Sequence, residues 1–182
     1  VWLPEFKALF PGDNFYRAFP NLYTIRGTPY RDLAGWVESI DKMRYLEPEF
    51  LIPSHSRPLE GSQEILKHLT DYRDAIQFVH DQTIRLMNKG MTPSEIASEI
   101  VLPDHLASSP FLKEFYGTPQ WSSKNVFAGY LGWFNGNPTT LNPLSDREEA
   151  KKIIDLVGGW LKVLEEAKKA INNEEFQWAL QL

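Results

Sequence analysis

Hydrophobic positions change their rhythm part-way along the chain. Between Val1 and about Gly61 the apolar runs are short and mixed in character. Phe6, Ala8 and Phe10 alternate with Lys7 and Leu9 up to Pro11-Gly12, which predicts a strand ended by a turn and leaves Asp13 just past a strand end. Leu22-Tyr-Thr-Ile25 is a β-branched and aromatic run stopped at Gly27, predicting a second strand. Thr28 before Pro29 reads as an N-cap with proline at the first helical position. Leu33, Trp36, Val37, Ile40 and Met43 or Leu46 then keep the three-and-four spacing of one buried helical face, ended by Pro48. Phe50-Leu-Ile52 is a short apolar strand broken at Pro53, delivering Ser54-His55 into a loop. This alternation has α/β character.

After Gly61-Ser62, where a domain boundary is placed, capped helices take over. Ile65, Leu66, Leu69, Tyr72, Ile76, Val79, Thr83, Leu86 and Met87 form one stripe, predicting a helix of about seven turns closed near Gly90. Thr92-Pro93-Ser94-Glu95 is a capping box opening a short helix through Ile96 and Ile100. Further short helices are expected over 110–116 and 122–133. Ser145-Asp-Arg-Glu148 is a second capping box, opening a helical segment interrupted at Gly158-Gly159. Ala167, Ala170, Phe176 and Ala179 resemble one paired-helix repeat of the tetratricopeptide type, of which about three are needed for a stable solenoid. The helical aromatics Trp121, Phe127, Tyr130, Trp133 and Phe134 are expected mainly in the core, some alternatively at an apolar pocket or an interface.

Composition narrows the chemistry. The 182 residues are 42% hydrophobic and contain no cysteine, so thiolate catalysis, disulfides and Cys-ligated metals are excluded, and any metal must sit on His, Asp or Glu. With 19 Lys and Arg against 24 Asp and Glu, net charge -5, and the signs interleaved, a phosphate-backbone partner is disfavoured and no nucleic acid is expected. No run approaches the ~20 apolar residues of a membrane span, and the start has neither the basic flank nor the apolar run of a signal peptide. A soluble chain is expected, its compartment unknown. Both ends look cut, since the first residue is not Met and the last stretch ends within a helical pattern; the expectation is a piece of a longer polypeptide.

Two positions stand out for chemistry because both fall in loops just beyond predicted strand ends, where α/β folds place ligands: Asp13 and His55. A carboxylate can bridge two cations, and a neutral imidazole ligates through one nitrogen while its other nitrogen is held by a hydrogen bond. That pairing suits a two-zinc hydrolase. An ordinary turn aspartate and a solvated loop histidine are the alternatives.

Ordered motifs add to this. Gly12-Asp13-Asn14, Asn21-Leu-Tyr-Thr-Ile-Arg-Gly27, Tyr30-Arg-Asp32 and Pro53-Ser-His-Ser-Arg-Pro58 resemble, in that order, the alkylsulfatase branch of the metallo-β-lactamase superfamily. Tyr72-Arg-Asp-Ala75, Val79-His-Asp-Gln-Thr83, Arg85-Leu-Met-Asn-Lys-Gly90, Glu114-Phe-Tyr-Gly117 and Gly129-Tyr-Leu-Gly-Trp-Phe-Asn-Gly-Asn-Pro138 resemble the helical dimerisation domain of those enzymes. The resemblance implies a mixed α+β chain. Residues 1–61 would be the C-terminal portion of an αββα catalytic domain, and residues 62–182 an all-α, tetratricopeptide-like dimerisation domain truncated at its end. It implies Asp13 as the carboxylate bridging two zinc ions, where several relatives carry Glu, and His55 as the last histidine ligand of the second zinc. Both would act in catalysis through metal and water. It further implies Asn21 and Arg26 as holders of the substrate sulfate, with Arg31 a lesser candidate. The activity implied is metal-dependent hydrolysis of a linear alkyl sulfate ester to alcohol and sulfate by a homodimer.

The His-x-His-x-Asp-His run that supplies most zinc ligands in this superfamily is absent from the sequence, and His68, His80 and His105 do not reproduce it. His68 and His80 fall on different faces of one predicted helix, as packing or surface residues do. The chain alone is therefore expected to be incomplete and inactive. The alternatives are an inactive dimerisation or assembly module, and a two-zinc hydrolase of another ester.

Overall fold

A computed structural model describes residues 1–182, which gather into two compact units, Val1–Gly136 and Asn137–Leu182. The first contains a small sheet of four strands in spatial order β1-β2-β3-β4: β1 (Trp2–Leu3), β2 (Ala8–Gly12), β3 (Phe50–Pro53) and β4 (Leu59–Glu60). β1 pairs antiparallel with β2, β2 parallel with β3, and β3 antiparallel with β4. The parallel step needs a crossover, and α1 (Leu33–Tyr45) supplies it. Leu9 and Leu51, partners across the parallel ladder, are buried, while Phe10 and Phe50 remain partly exposed.

Helix α1 packs along α2 (Ser62–Met87), the longest element. Leu33, Ile40 and Met43 of α1 meet Ile65, Leu69, Tyr72, Ile76 and Val79 of α2 in one core with Phe15, Phe19 and Leu22 of the intervening loop. Each fully buried side chain of this kind contributes roughly 1.5–3 kcal/mol. Helix α3 (Pro93–Glu99) starts at the expected capping box, with both reciprocal bonds between Thr92 and Glu95. Short α4 (Asp104–Ala107) and α5 (Pro119–Leu131) complete the unit. α5 lies against α2 and α3. Its C-terminal end is tied to α2: the Tyr130 hydroxyl and His80 Nε2 lie 2.9 Å apart, and His80 Nδ1 and Asp81 Oδ1 2.8 Å apart.

The second unit holds α6 (Asp146–Val157), α7 (Trp160–Asn172) and α8 (Phe176–Gln181). α6 begins at the Ser145–Glu148 capping box and ends at Gly158, as the sequence indicates. Only Ala170 is buried; Leu156, Trp160, Leu161, Leu164, Ile171 and Phe176 all remain exposed.

The architecture is the expected mixture of a small sheet and many helices. At Gly61 the chain leaves β4 and enters α2, so the change from mixed to helical structure falls there. Four local expectations are corrected. Residues 22–25 form no strand: the Leu22 N–H donates to Pro20 O, the Leu22 carbonyl accepts from Asn125 Nδ2 at 3.1 Å, and Thr24 closes a turn with Gly27, leaving no ladder partner. Helix α1 begins four residues after the expected Thr28-Pro29 start. Its cap is Asp32, whose extended backbone (φ -69°, ψ 103°) starts the helix there and whose carboxylate accepts from Ala34 N. Residues 110–116 are not helical; Phe19 N donates to Lys113 O at 2.8 Å, holding that stretch against residues 19–21. Of the five helical aromatics only Phe127 is buried, since the rest of the packed face of α5 is made by the smaller side chains of Ser122, Ser123, Asn125 and Val126.

Candidate active site

The site begins with a backbone relationship. β2 and β3 run parallel, so the loops following them emerge over the same edge of the sheet. Gly12 pairs with Pro53 after a register shift, and Ser54 N donates to the Gly12 carbonyl at 3.4 Å. Gly12 takes φ 62°, a left-handed conformation suited to glycine, which turns the chain sharply into Asp13. The Asp13 Oδ1 and His55 Nε2 atoms come within 3.3 Å, with both side chains more than two-thirds exposed.

Asp13 and His55 line a cavity of about 710 Å³ together with Asn21, Arg26 and Arg31. All five residues singled out in the sequence are therefore brought to one wall system. Four of them, Asp13, Asn21, Arg26 and Arg31, lie on the loop between β2 and α1, whose course is fixed at several points. The Asn21 N–H donates to the Tyr16 hydroxyl at 2.5 Å, and Arg31 Nη1 donates to the Asn21 carbonyl at 2.5 Å. Both backbone polar groups of Asn21 are thus held, and Arg31 braces the loop. Asn21 is 4% exposed, and its side-chain oxygen has no partner within the chain.

Arg26 projects from the Thr24–Gly27 turn, and its Nη1 donates to the Tyr116 hydroxyl at 3.3 Å. The hydrogen bond from Arg26, and secondly one from the Asn21 side chain, hold the Tyr116 phenol below its ordinary value. Tyr16, also on the wall, is pushed up by burial. Beneath it Tyr72, wholly buried, is raised well above the ordinary phenol range by the same cause.

Tyr116 and Tyr16 were not singled out in the sequence as site residues. Tyr116 reaches Arg26 because Gly117 packs so closely on Pro20-Asn21 that a Cβ there would lie 2.4 Å from the Pro20 carbonyl oxygen. Glu114-Phe-Tyr-Gly117 was legible as a motif, but its contact with the Arg26 loop is a tertiary fact. His68, His80 and His105 take no part in the cavity. His68 is buried with its ring centroid 3.9 Å from that of Phe111.

Chemically, the cavity opposes two guanidinium groups and an amide to a carboxylate and an imidazole. Arg26 offers a planar fork of charged donors that matches the oxygens of sulfate or phosphate. Asp13 and His55 are suited donors for a divalent ion such as zinc. No group of three His, Asp or Glu residues lies close enough to hold an ion.

The alkyl sulfatase dimerisation family matches residues 92–182. The chain belongs to the alkylsulfatase family. It is 44% identical over 184 residues to a linear primary-alkylsulfatase of Pseudomonas sp. (strain ATCC 19151), across 100% of this chain and 35% of that protein. To an (R)-specific secondary-alkylsulfatase of Pseudomonas sp. it is 36% identical, covering 100% of this chain and 28% of the relative. Among solved structures it resembles the stereoselective inverting sec-alkylsulfatase from Pseudomonas sp., with TM-score 0.93 and 35% identity, across 100% of this chain and 29% of the other. The chain thus spans about a third of the length of the curated alkylsulfatases it matches. No helix is long and apolar enough to cross a membrane.

Proposed function

We propose that these residues are the C-terminal portion of the catalytic region of a zinc-dependent alkylsulfatase, up to about Gly61, followed by its helical dimerisation domain. The reaction is hydrolysis of an alkyl sulfate ester to alcohol and sulfate. The observation that carries this reading is the gathering of Asp13, His55, Asn21 and Arg26 on one cavity, in a chain of this family.

In this reading Asp13 and His55 would hold zinc, completed by ligands from outside the chain. Bound zinc supplies water of lowered pKa and a Lewis acid for the sulfate oxygens. Arg26 binds and orients the sulfate group, its positive charge opposing the charge that builds on the oxygens as the ester bond breaks. Asn21 adds a neutral amide donor. Arg31 and Tyr16 keep Asn21 in place through its backbone, so no reorganisation is needed when the ester arrives. Tyr116 holds the Arg26 fork from the opposite side. The exposed apolar faces of α6 and α7 support a homodimer built by the second unit.

The test is release of inorganic sulfate from hexyl sulfate by the zinc-loaded polypeptide that carries this segment in its full-length context. Turnover that is lost in Asp13→Ala and His55→Ala supports the reading. Turnover that survives both substitutions contradicts it.

A further inference from the structure

A second cavity, of about 210 Å³, shares Asn21, Thr24, Arg26 and Tyr116 with the anion-binding cavity. Beyond that shared wall its character changes: Ile25, Phe115 and Trp121 dominate it. Ile25 and Trp121 in turn border a third cavity of about 300 Å³, walled otherwise by Tyr23 and α5. The apolar side chains here are incompletely covered by the chain itself. Ile25 is 75% exposed, Phe115 81% and Trp121 40%. Such exposure of clustered large apolar groups beside a charged pocket marks a place where an amphipathic ligand gains by binding.

We infer that the alkyl chain of the bound ester leaves the anion cavity beneath Tyr116 and lies along Ile25, Phe115 and Trp121, so that these side chains set chain-length preference. This rests on the sulfate-ester reading of the anion cavity. The order of groups along the shared wall matches the order along the ligand. Arg26 and Asn21 face the sulfate, the Tyr116 hydroxyl stands at the junction where the ester oxygen falls, and the hydrocarbon meets aromatic and aliphatic surface. Glu114 also borders the apolar cavity, and burial raises its carboxyl above the ordinary value, which favours the neutral form that a hydrocarbon neighbour tolerates. Trp121 and Phe115 contribute area that grows with each methylene covered, whereas Arg26 contributes equally to every member of a series. Head-group recognition and length discrimination are thereby assigned to different residues.

The experiment is calorimetric titration of the full-length protein, stripped of metal so that no ester turns over, with inorganic sulfate and with butyl, hexyl and octyl sulfate, kept below micelle-forming concentrations. Wild-type affinity is expected to rise about two- to fourfold per methylene from butyl to octyl. Trp121→Ala and Phe115→Ala should flatten that rise, and Trp121→Phe should retain most of it, which separates loss of apolar surface from loss of folding. Arg26→Ala should weaken all four ligands by a similar factor. A length dependence that is the same in wild type, Trp121→Ala and Phe115→Ala overturns the inference while leaving the anion site standing. So does a wild type that binds all chain lengths alike. Self-association of the chain that is lost in Trp121→Ala, without any length dependence, would instead assign this surface to a second copy. Binding indifferent to Arg26, or absent for every ligand, overturns the sulfate reading itself.

Discussion

The Asp13 carboxylate and the His55 imidazole meet at 3.3 Å because β2 and β3, which precede them, pair in parallel and end on the same side of the sheet. The two loops are joined where they leave the sheet, with Ser54 N donating to the Gly12 carbonyl. Two residues remote in sequence therefore face one another at the cavity wall. In the full-length protein, His55→Ala should reduce zinc affinity at least tenfold, a lower bound set by what loss of an outer-shell partner alone costs. Chelation followed by zinc should restore wild-type turnover and not that of the variant. Zinc content by emission spectrometry after dialysis checks this. Equal zinc content in wild type and variant would remove His55 from the site.

Gly117 is the point where the stretch carrying Tyr116 touches the loop carrying Asn21. A Cβ at this position would approach the Pro20 carbonyl oxygen to 2.4 Å and the Asn21 Cα to 3.0 Å, and both are backbone atoms that cannot turn aside. Gly117→Ala should therefore destabilise the fold by about 1–3 kcal/mol, the usual range for overpacking. It should also separate Tyr116 from Arg26. Denaturant melts measure the first effect, and loss of the depressed Tyr116 ionisation in a spectrophotometric titration measures the second.

His68 lies buried against Phe111, with Glu64 at 3.6 Å. Burial lowers its pKa below the ordinary histidine value, outweighing the opposite pull of Glu64. The unfolded chain then binds a proton more readily than the folded one. His68 costs the fold nothing above the unfolded pKa of about 6.5, and its penalty grows as pH falls through that value toward the lower folded one. His68→Gln should melt with a smaller loss between pH 7.5 and pH 5 than wild type. Identical losses would show that acid sensitivity has another source.

The helices of the second unit bury almost nothing of their own. α7 leaves Trp160, Leu161, Leu164 and Ile171 exposed, a stripe at helical spacing that has no partner within that unit. A homodimer that covers this stripe should dissociate at least ten times more readily in Leu164→Asp, because a charge would then be buried against apolar surface. Sedimentation equilibrium of wild type and variant checks it. Unchanged association would place the interface elsewhere.

What the sequence disclosed follows from the range of the forces involved. Capping boxes at Thr92 and Ser145, the long stripe of α2 and the Pro53 stop are local, and the structure has them where the pattern puts them. Residues 22–25 looked like a strand because their side chains suit one, but no neighbouring strand offers hydrogen bonds and Asn125 takes the Leu22 carbonyl instead. α5 looked like a helix with an aromatic core face. Its packing against α2 and α3 instead buries Ser122, Ser123, Asn125 and Val126 with Phe127, and leaves the other aromatics outside. Asp13, Asn21, Arg26, Arg31 and His55, which order and motif single out, line one cavity. Tyr116 could not be tied to Arg26, because that contact depends on how the stretch before α5 folds back over the loop before α1.

Sulfate recognition by Arg26 can be separated from general catalysis by comparing two ester classes in one variant. In the full-length protein with zinc bound, kcat/KM for hexyl sulfate and for a carboxylic ester of similar length would be measured in wild type and Arg26→Ala. Loss of a charged hydrogen-bonding partner predicts a fall of about 10- to 100-fold for the sulfate ester, with the carboxylic ester little changed. A fall of the same size for both esters, or for neither, would contradict the assignment of this cavity to sulfate.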